Sequence, residues 1–164
     1  MRKWLIANPL PTNATSCNKD LNGGYGTVDN IGNSLVSKVL GRIKRRNIKL
    51  PVLALGYLAA ILESKGIGAD YYEDTSEIKK SLIGNQYEGC IIYCSLVGES
   101  IENEIIRFIK NNATAKIIVV GTYPTKFPSI FEDADVVIVG EPERLLMDWS
   151  GSLDELIKGG QVQY

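Results

Sequence analysis

The chain contains no histidine, and that absence bounds the chemistry open to it. No histidine general base, Ser–His–Asp triad, Cys–His dyad or His-ligated zinc can be built. Three scattered cysteines, Cys17, Cys90 and Cys94, are too few for a CxxxCxxC iron–sulfur site. Cys90 and Cys94 flank an apolar run and read as small buried hydrophobes in a reducing compartment. What remains are four segments that mix Gly or Pro with small polar residues. They are Asn8-Pro9-Leu10-Pro11, Ser95-Leu96-Val97-Gly98, Gly121-Thr122-Tyr123-Pro124-Thr125 and Gly140-Glu141-Pro142-Glu143. The hydroxyls of Ser95 and Thr122 can bond amide or phosphate groups without adding charge, and glycine lets a flat ligand approach the backbone closely. One such segment is an ordinary turn or cap; four on one rim describe a binding crevice. Glu141 and Glu143 read as acids at a helix start, which the dipole favours, more than as an acid–base pair. Gly23-Gly24-Tyr25-Gly26 is not GxGxxG, and no GxxxxGK phosphate loop exists. A phosphoacceptor receiver needs an Asp where Ser95 stands.

The elements that must position these segments follow from hydrophobic pattern. Five short runs read as strands: Lys3 to Asn8, Ala69 to Glu73, Gly89 to Ser95, Lys116 to Gly121 and Asp135 to Gly140. Most are continuous apolar, β-branched runs, as expected of strands covered on both faces. Helical patterns alternate with them. Pro51 is suited to a first helical position, Leu55, Leu58, Ala59 and Leu62 form one stripe, and Gly66 stands where a terminating glycine belongs. Asp74 with Glu77 resembles a cap and its N3 acid, leading into Ile78 and Leu82. Ile101, Ile105, Phe108 and Ile109 share a face of the next helix. Pro142 can start another, with Leu145, Leu146 and Trp149 inward, and Ser152 with Glu155 is a capping box for a last helix ended by Gly159-Gly160. Trp4 and Tyr71-Tyr72 read as core. This alternation predicts a flavodoxin-like, doubly wound α/β domain with a five-stranded parallel sheet in the order 2-1-3-4-5. A ligand would sit beyond the carboxyl ends of the first and third strands, at the switch point.

The 164 residues suit one domain, 1–164. Hydrophobic residues at 45% and charged residues at 23% exclude a disordered chain or a disulfide scaffold. The connection from 9 to 50 is abnormally long for a βα loop. Its first half is rich in Asn, Gly and Thr, its second half places Leu35, Val39 and Ile43 at helical spacing, and its position at the ligand end suggests a functional loop. Eighteen basic against nineteen acidic residues, net charge −1, argue against a nucleic-acid partner. The run Lys38, Arg42, Lys44, Arg45 and Arg46 reads as a solvated helix end. No apolar run spans a bilayer and the first residues carry too short an apolar core for a signal peptide, so a cytoplasmic protein is expected. Gln161-Val162-Gln163-Tyr164 resumes a strand-like pattern and stops, suggesting one module of a longer chain.

The ordered series of motifs resembles the cobalamin-binding amino-terminal domain of class B radical SAM enzymes, over nearly the whole chain. Asn8-Pro9 matches the family's Asn-Pro-Pro at the end of the first strand, with Leu10 in the third place. Residues from Pro51 through Tyr57 to Gly66 closely match its P-x-L-G-L-x-Y-L-A-A-x-L-E-x-x-G segment, with Ala54 in the place of its Gly. Gly121-Thr122-Tyr123-Pro124-Thr125, with Pro128, corresponds to Gly-Gly-x-His-Pro-Thr, and Gly140-Glu141-Pro142-Glu143 to Gly-Glu-x-Glu. The family's His is Tyr123 here, and the DxHxxG motif of classical cobalamin enzymes is absent.

The resemblance implies a cobalamin held base-off with no imidazole on cobalt. Its contacts would be Asn8, Pro9, Tyr57, Ser95, Leu96, Val97, Gly98, Gly121, Thr122, Tyr123, Pro124, Thr125, Gly140 and Glu141. Tyr123, Leu96 and Val97 would lie nearest the lower face of cobalt. The resemblance also implies a radical SAM domain, in the same polypeptide or a partner chain, that brings a 4Fe-4S cluster and S-adenosylmethionine. This chain alone would then be non-catalytic, presenting methylcobalamin in a methyltransferase. The alternatives are a stand-alone flavin or nucleotide carrier, with Tyr25 and Tyr123 flanking the ring, and a non-catalytic interaction module.

Overall fold

The structure, a computed structural model, describes residues 2–10, 16–19, 22–29, 34–37, 39, 52–150, 152, 155 and 161–163. Its main sheet contains β1 (Lys3–Leu10), β4 (Gly68–Asp74), β5 (Gly89–Tyr93), β6 (Lys116–Val120), β7 (Val136–Val139) and β8 (Gln161–Gln163). All pairings are parallel, in the order β4-β1-β5-β6-β7-β8. The first five strands in sequence among these take the expected 2-1-3-4-5 order of a flavodoxin-like α/β fold. The departure is β8, a sixth parallel strand beside β7. Its register, Val137 with Gln161 and Val139 with Gln163, extends the sheet on its far edge.

Helices cover both faces, which is why the central strands are apolar throughout. One face carries α1 (Leu53–Ser64) and α5 (Pro142–Asp148) over a core of Trp4, Ile6, Leu55, Leu58, Leu62, Ile91, Ile118, Ile138, Leu145 and Trp149. The other carries α2 (Thr75–Gly84) and α3 (Glu99–Asn112), with the short α4 (Thr122–Lys126) beyond β6, over Leu5, Ala7, Ile78, Leu82, Ile92, Ile105, Ile109 and Val119. Alternate residues of β1 feed opposite cores, as the pleat requires.

The helix boundaries follow local chemistry. Gly66 ends α1 at φ 73°, with its N–H on the Glu63 carbonyl and the Ile67 N–H on the Leu62 carbonyl. This is the paired bonding in which a left-handed residue closes a helix, and glycine adopts it without a Cβ penalty. Asp74 caps α2 by accepting from the N–H groups of Ser76 and Glu77 at 2.8 and 3.1 Å. Leu145, Leu146 and Trp149 face inward as expected. Two expectations change. Tyr71 is substantially exposed, because β4 is an edge strand. In α3, Glu102 is fully buried among Ile105, Ile106 and Ile109, whereas Phe108 is only partly buried. Residues 35–37 and 39 are helical, with Leu35 and Val36 exposed. Pro51, Ile43, the whole basic run (Lys38, Arg42, Lys44, Arg45 and Arg46) and Gly159-Gly160 lie outside the described residues. No helix among those described is long and apolar enough to cross a membrane.

Candidate functional site

The long excursion after β1 is not a bare loop. Within it, β2 (Ser16–Asn18) and β3 (Thr27–Asp29) pair antiparallel as a separate two-stranded sheet. The turn between them lies on the carboxyl ends of β5 and β6. The Val97 N–H donates to the Tyr25 carbonyl at 3.4 Å. A Cβ built on Gly24 would stand 2.3 Å from the Thr122 hydroxyl oxygen, and one on Gly26 would stand 2.4 Å from a Val97 methyl.

Beneath the hairpin is a buried ion pair. Lys19 and Glu102 both have fully buried side chains, with Nζ 2.7 Å from Oε1. Lys19 also donates to the Tyr93 carbonyl at 3.0 Å. Glu102 accepts the Ser95 N–H on both oxygens at 3.0 Å and the Ser95 hydroxyl at 3.3 Å. Burial raises the Glu102 pKa, and the Lys19 ammonium and Ser95 donors pull it back. The same burial, with the Glu102 charge added, drives the Cys94 thiol well up, and burial alone raises Cys90. Both thiols are inert on these grounds.

The fourteen residues expected to line one crevice therefore divide. Ser95 is committed to Glu102. Gly98 leaves room for that carboxylate, since a Cβ there would lie 2.2 Å from Glu102 Oε1. Gly121, at φ 132°, lets its backbone pass the Cys94 carbonyl, which a Cβ would meet at 2.4 Å. Thr125 ties two loops together, donating to the Gly121 carbonyl at 2.8 Å and accepting from the Gly140 N–H at 3.1 Å. Pro124 is buried beside it. Tyr123 belongs to the α2–α3 core, packed on Phe127 and Phe131. Its hydroxyl donates to Glu99 at 2.6 Å, and burial and that carboxylate push its pKa up to about 12. It offers no ring face at the rim. Thr122 and Val97 lie under the hairpin, and Leu96 is exposed beside them.

Tyr57 and Glu141 line a groove on the α1–α5 side that Asn8 and Pro9 do not line. An open groove of about 830 Å³ runs between these helices, lined by Tyr57, Ala60, Ile61, Glu141, Glu143 and Met147. Tyr57 and Met147 are both about two-thirds exposed, at 65% and 66%. At the carboxyl end of β1, Pro9 is buried and Asn8 is 2% exposed. By the pleat, Asn8 points to the same face as Trp4 and Ile6. Its Nδ2 approaches the Tyr71 hydroxyl oxygen at 3.4 Å, and that hydroxyl donates to Glu73 at 2.7 Å. With its proton given to Glu73, the Tyr71 oxygen is free to accept from the Asn8 amide nitrogen. Asn8 Oδ1 is a buried acceptor with no hydrogen-bond partner among the described residues. Such an atom costs about 1–3 kcal/mol unless something donates to it.

The sequence reading missed Lys19 and Glu102. Glu102 carried a signal, since it stands three and four residues before Ile105 and Ile106 on the inward stripe. Lys19 carried none, because only its tertiary partner buries it. Among the described residues no three acidic or thiol groups gather as a metal site. No protein-family model, curated protein or solved structure matches the chain.

Proposed function

We propose that this domain binds a corrinoid and serves a radical SAM enzyme, with no side-chain imidazole on cobalt. The observation that carries the reading is the buried Asn8 Oδ1, without a partner among the described residues, at the carboxyl end of β1, beside the topological switch point where open α/β sheets take ligands. A corrin ring is fringed with primary amides, each an N–H donor of the kind that atom lacks. The groove on the same face supports the reading further. Its exposed Tyr57 ring, its apolar Ala60 and Ile61 and its 830 Å³ volume suit a flat heteroaromatic such as a benzimidazole. The histidine-free sequence fits a base-off corrinoid.

Bound cobalamin would supply a cobalt able to carry a methyl group. The chain's own part is to bind and orient: Asn8 accepting an amide proton, Pro9 shaping the strand end, Tyr57 and Glu141 flanking the groove. The cluster and S-adenosylmethionine would come with the radical SAM domain, in this polypeptide or a partner.

The test is titration with hydroxocobalamin, followed by the visible spectrum. Saturable binding with a base-off spectrum is expected, and Asn8→Leu should weaken it about tenfold, the equivalent of about 1.4 kcal/mol. Leucine there removes an unsatisfied polar atom at similar shape, so the fold should be retained. A spectrum that does not change on titration overturns the corrinoid; full affinity in the Asn8→Leu variant removes Asn8 from the site.

A further inference from the structure

We infer that the β2–β3 hairpin is a lid, latched by Lys19 and Glu102, and that the structure shows its closed state. The ends of β5 and β6 carry Ser95, Gly98 and Thr122, and all three lie beneath this cover. Among the described residues the hairpin forms no ladder with the main sheet. Its strands are three residues each, and a two-stranded ribbon is at best marginally stable by itself. Whatever holds it down must be tertiary.

The described contacts are unequal, and Tyr25 also packs against the α2–α3 core. The Val97 N–H to the Tyr25 carbonyl is long at 3.4 Å, and the glycine contacts at Thr122 and Val97 are packing alone. Lys19 is different. Its ammonium reaches through to Glu102 and to the Tyr93 carbonyl, so the lysine that opens the hairpin's turn is tied to both α3 and β5. The receiving side is built for it. Ser95 gives two donors to the carboxylate, and residue 98 lacks a side chain where one would collide with Glu102 and approach the Lys19 stem.

A buried pair of this kind need not add much net stability, since desolvation offsets the attraction. Breaking it from one side, however, leaves a naked buried charge, so the latch is cooperative: both partners stay in place or the cover lifts. Lifting it would bare Ser95, Val97 and Thr122 and return the β5–β6 half of the rim to solvent. Access to that half is therefore tied to this ion pair.

Amide hydrogen exchange on the whole chain without ligand tests the lid separately from the corrinoid reading. In the Lys19→Met variant the Val97 amide and the β2–β3 ladder should exchange at least tenfold faster, with Ile91 and Ile118 of the central strands unchanged. Exchange that stays at the wild-type rate, or rises uniformly through the sheet, overturns the lid. If that variant does not fold, exchange of the wild type in low denaturant decides. Hairpin amides opening ahead of β5 and β6 support the lid; opening only with global unfolding refutes it.

Discussion

Glu102 shows how much a single side chain organises here. It sits where helical periodicity calls for an apolar residue, and its burial is tolerated because Lys19 and two donors from Ser95 surround it. The neighbouring glycine is part of that solution. Alanine at 98 would bring Cβ within 2.2 Å of Glu102 Oε1 and 3.1 Å of Lys19 Cε. Neither atom is a free side-chain end, since both are fixed by the ion pair. Gly98→Ala should therefore destabilise by about 1–3 kcal/mol, the usual cost of overpacking a filled site. For a chain of this length that is a fall of several degrees in Tm, at about 2–4 °C per kcal/mol. A melt indistinguishable from wild type would mean that the carboxylate is not held as described. Position 98 was read from sequence as a place where a ligand meets backbone; the structure instead assigns its missing side chain to an internal charge. Residue type alone could not separate these, because a glycine kept small for a ligand and one kept small for a buried carboxylate look the same in one dimension.

At the scale of elements, most of the architecture was legible, and the reason is local. β1 is a short, largely apolar run and β5, β6 and β7 are β-branched ones, α1 carries its stripe and its closing glycine, and α2 announces itself by Asp74. That cap makes a quantitative expectation. Asp74 is held below the usual carboxylate range, first by the Ser76 hydroxyl, then by the Glu77 amide. Its folded pKa is thus lower than its unfolded one. Its contribution is fully present above the unfolded value, about 3.9, and is lost as pH falls through the folded value. Asp74→Ala should cost about 1 kcal/mol at neutral pH, and the difference from wild type should shrink under acid. Urea unfolding at pH 7 and near pH 2 measures this; a gap that does not narrow in acid would show that the charge on Asp74 plays no part. The hairpin was not legible for the opposite reason. Strands of three residues show no period, and their placement depends on a lysine meeting a glutamate 83 positions later in the sequence (residues 19 and 102). β8 showed only a faint alternation, although its register with β7 is regular.

Over the whole molecule, the sheet acts as a partition, and this reshapes the expected site. Reading four loops on one rim treats the carboxyl edge as a single line. The edge has two sides, and β-strand alternation sends neighbouring residues to opposite cores. Tyr123 falls on the α2–α3 side, locked to Glu99 and two phenylalanines. Tyr57, Glu141 and the orphaned oxygen of Asn8 fall on the α1–α5 side. Two tyrosines assigned to one cofactor are thus separated by the sheet and cannot both contact a ligand resting on one face. A ligand that uses the Asn8 side will depend on Tyr57 and be indifferent to the hydroxyl of Tyr123. With hydroxocobalamin as probe, Tyr57→Ala should weaken binding about threefold to tenfold, corresponding to the roughly 0.5–1.5 kcal/mol of an aromatic contact. Tyr123→Phe, which keeps the ring and loses only the bond to Glu99, should leave affinity and spectrum unchanged while lowering thermal stability slightly. The reverse pattern, with Tyr123→Phe altering the cobalamin spectrum and Tyr57→Ala silent, would place the ligand on the hairpin side of the sheet and require the lid to be open when it binds.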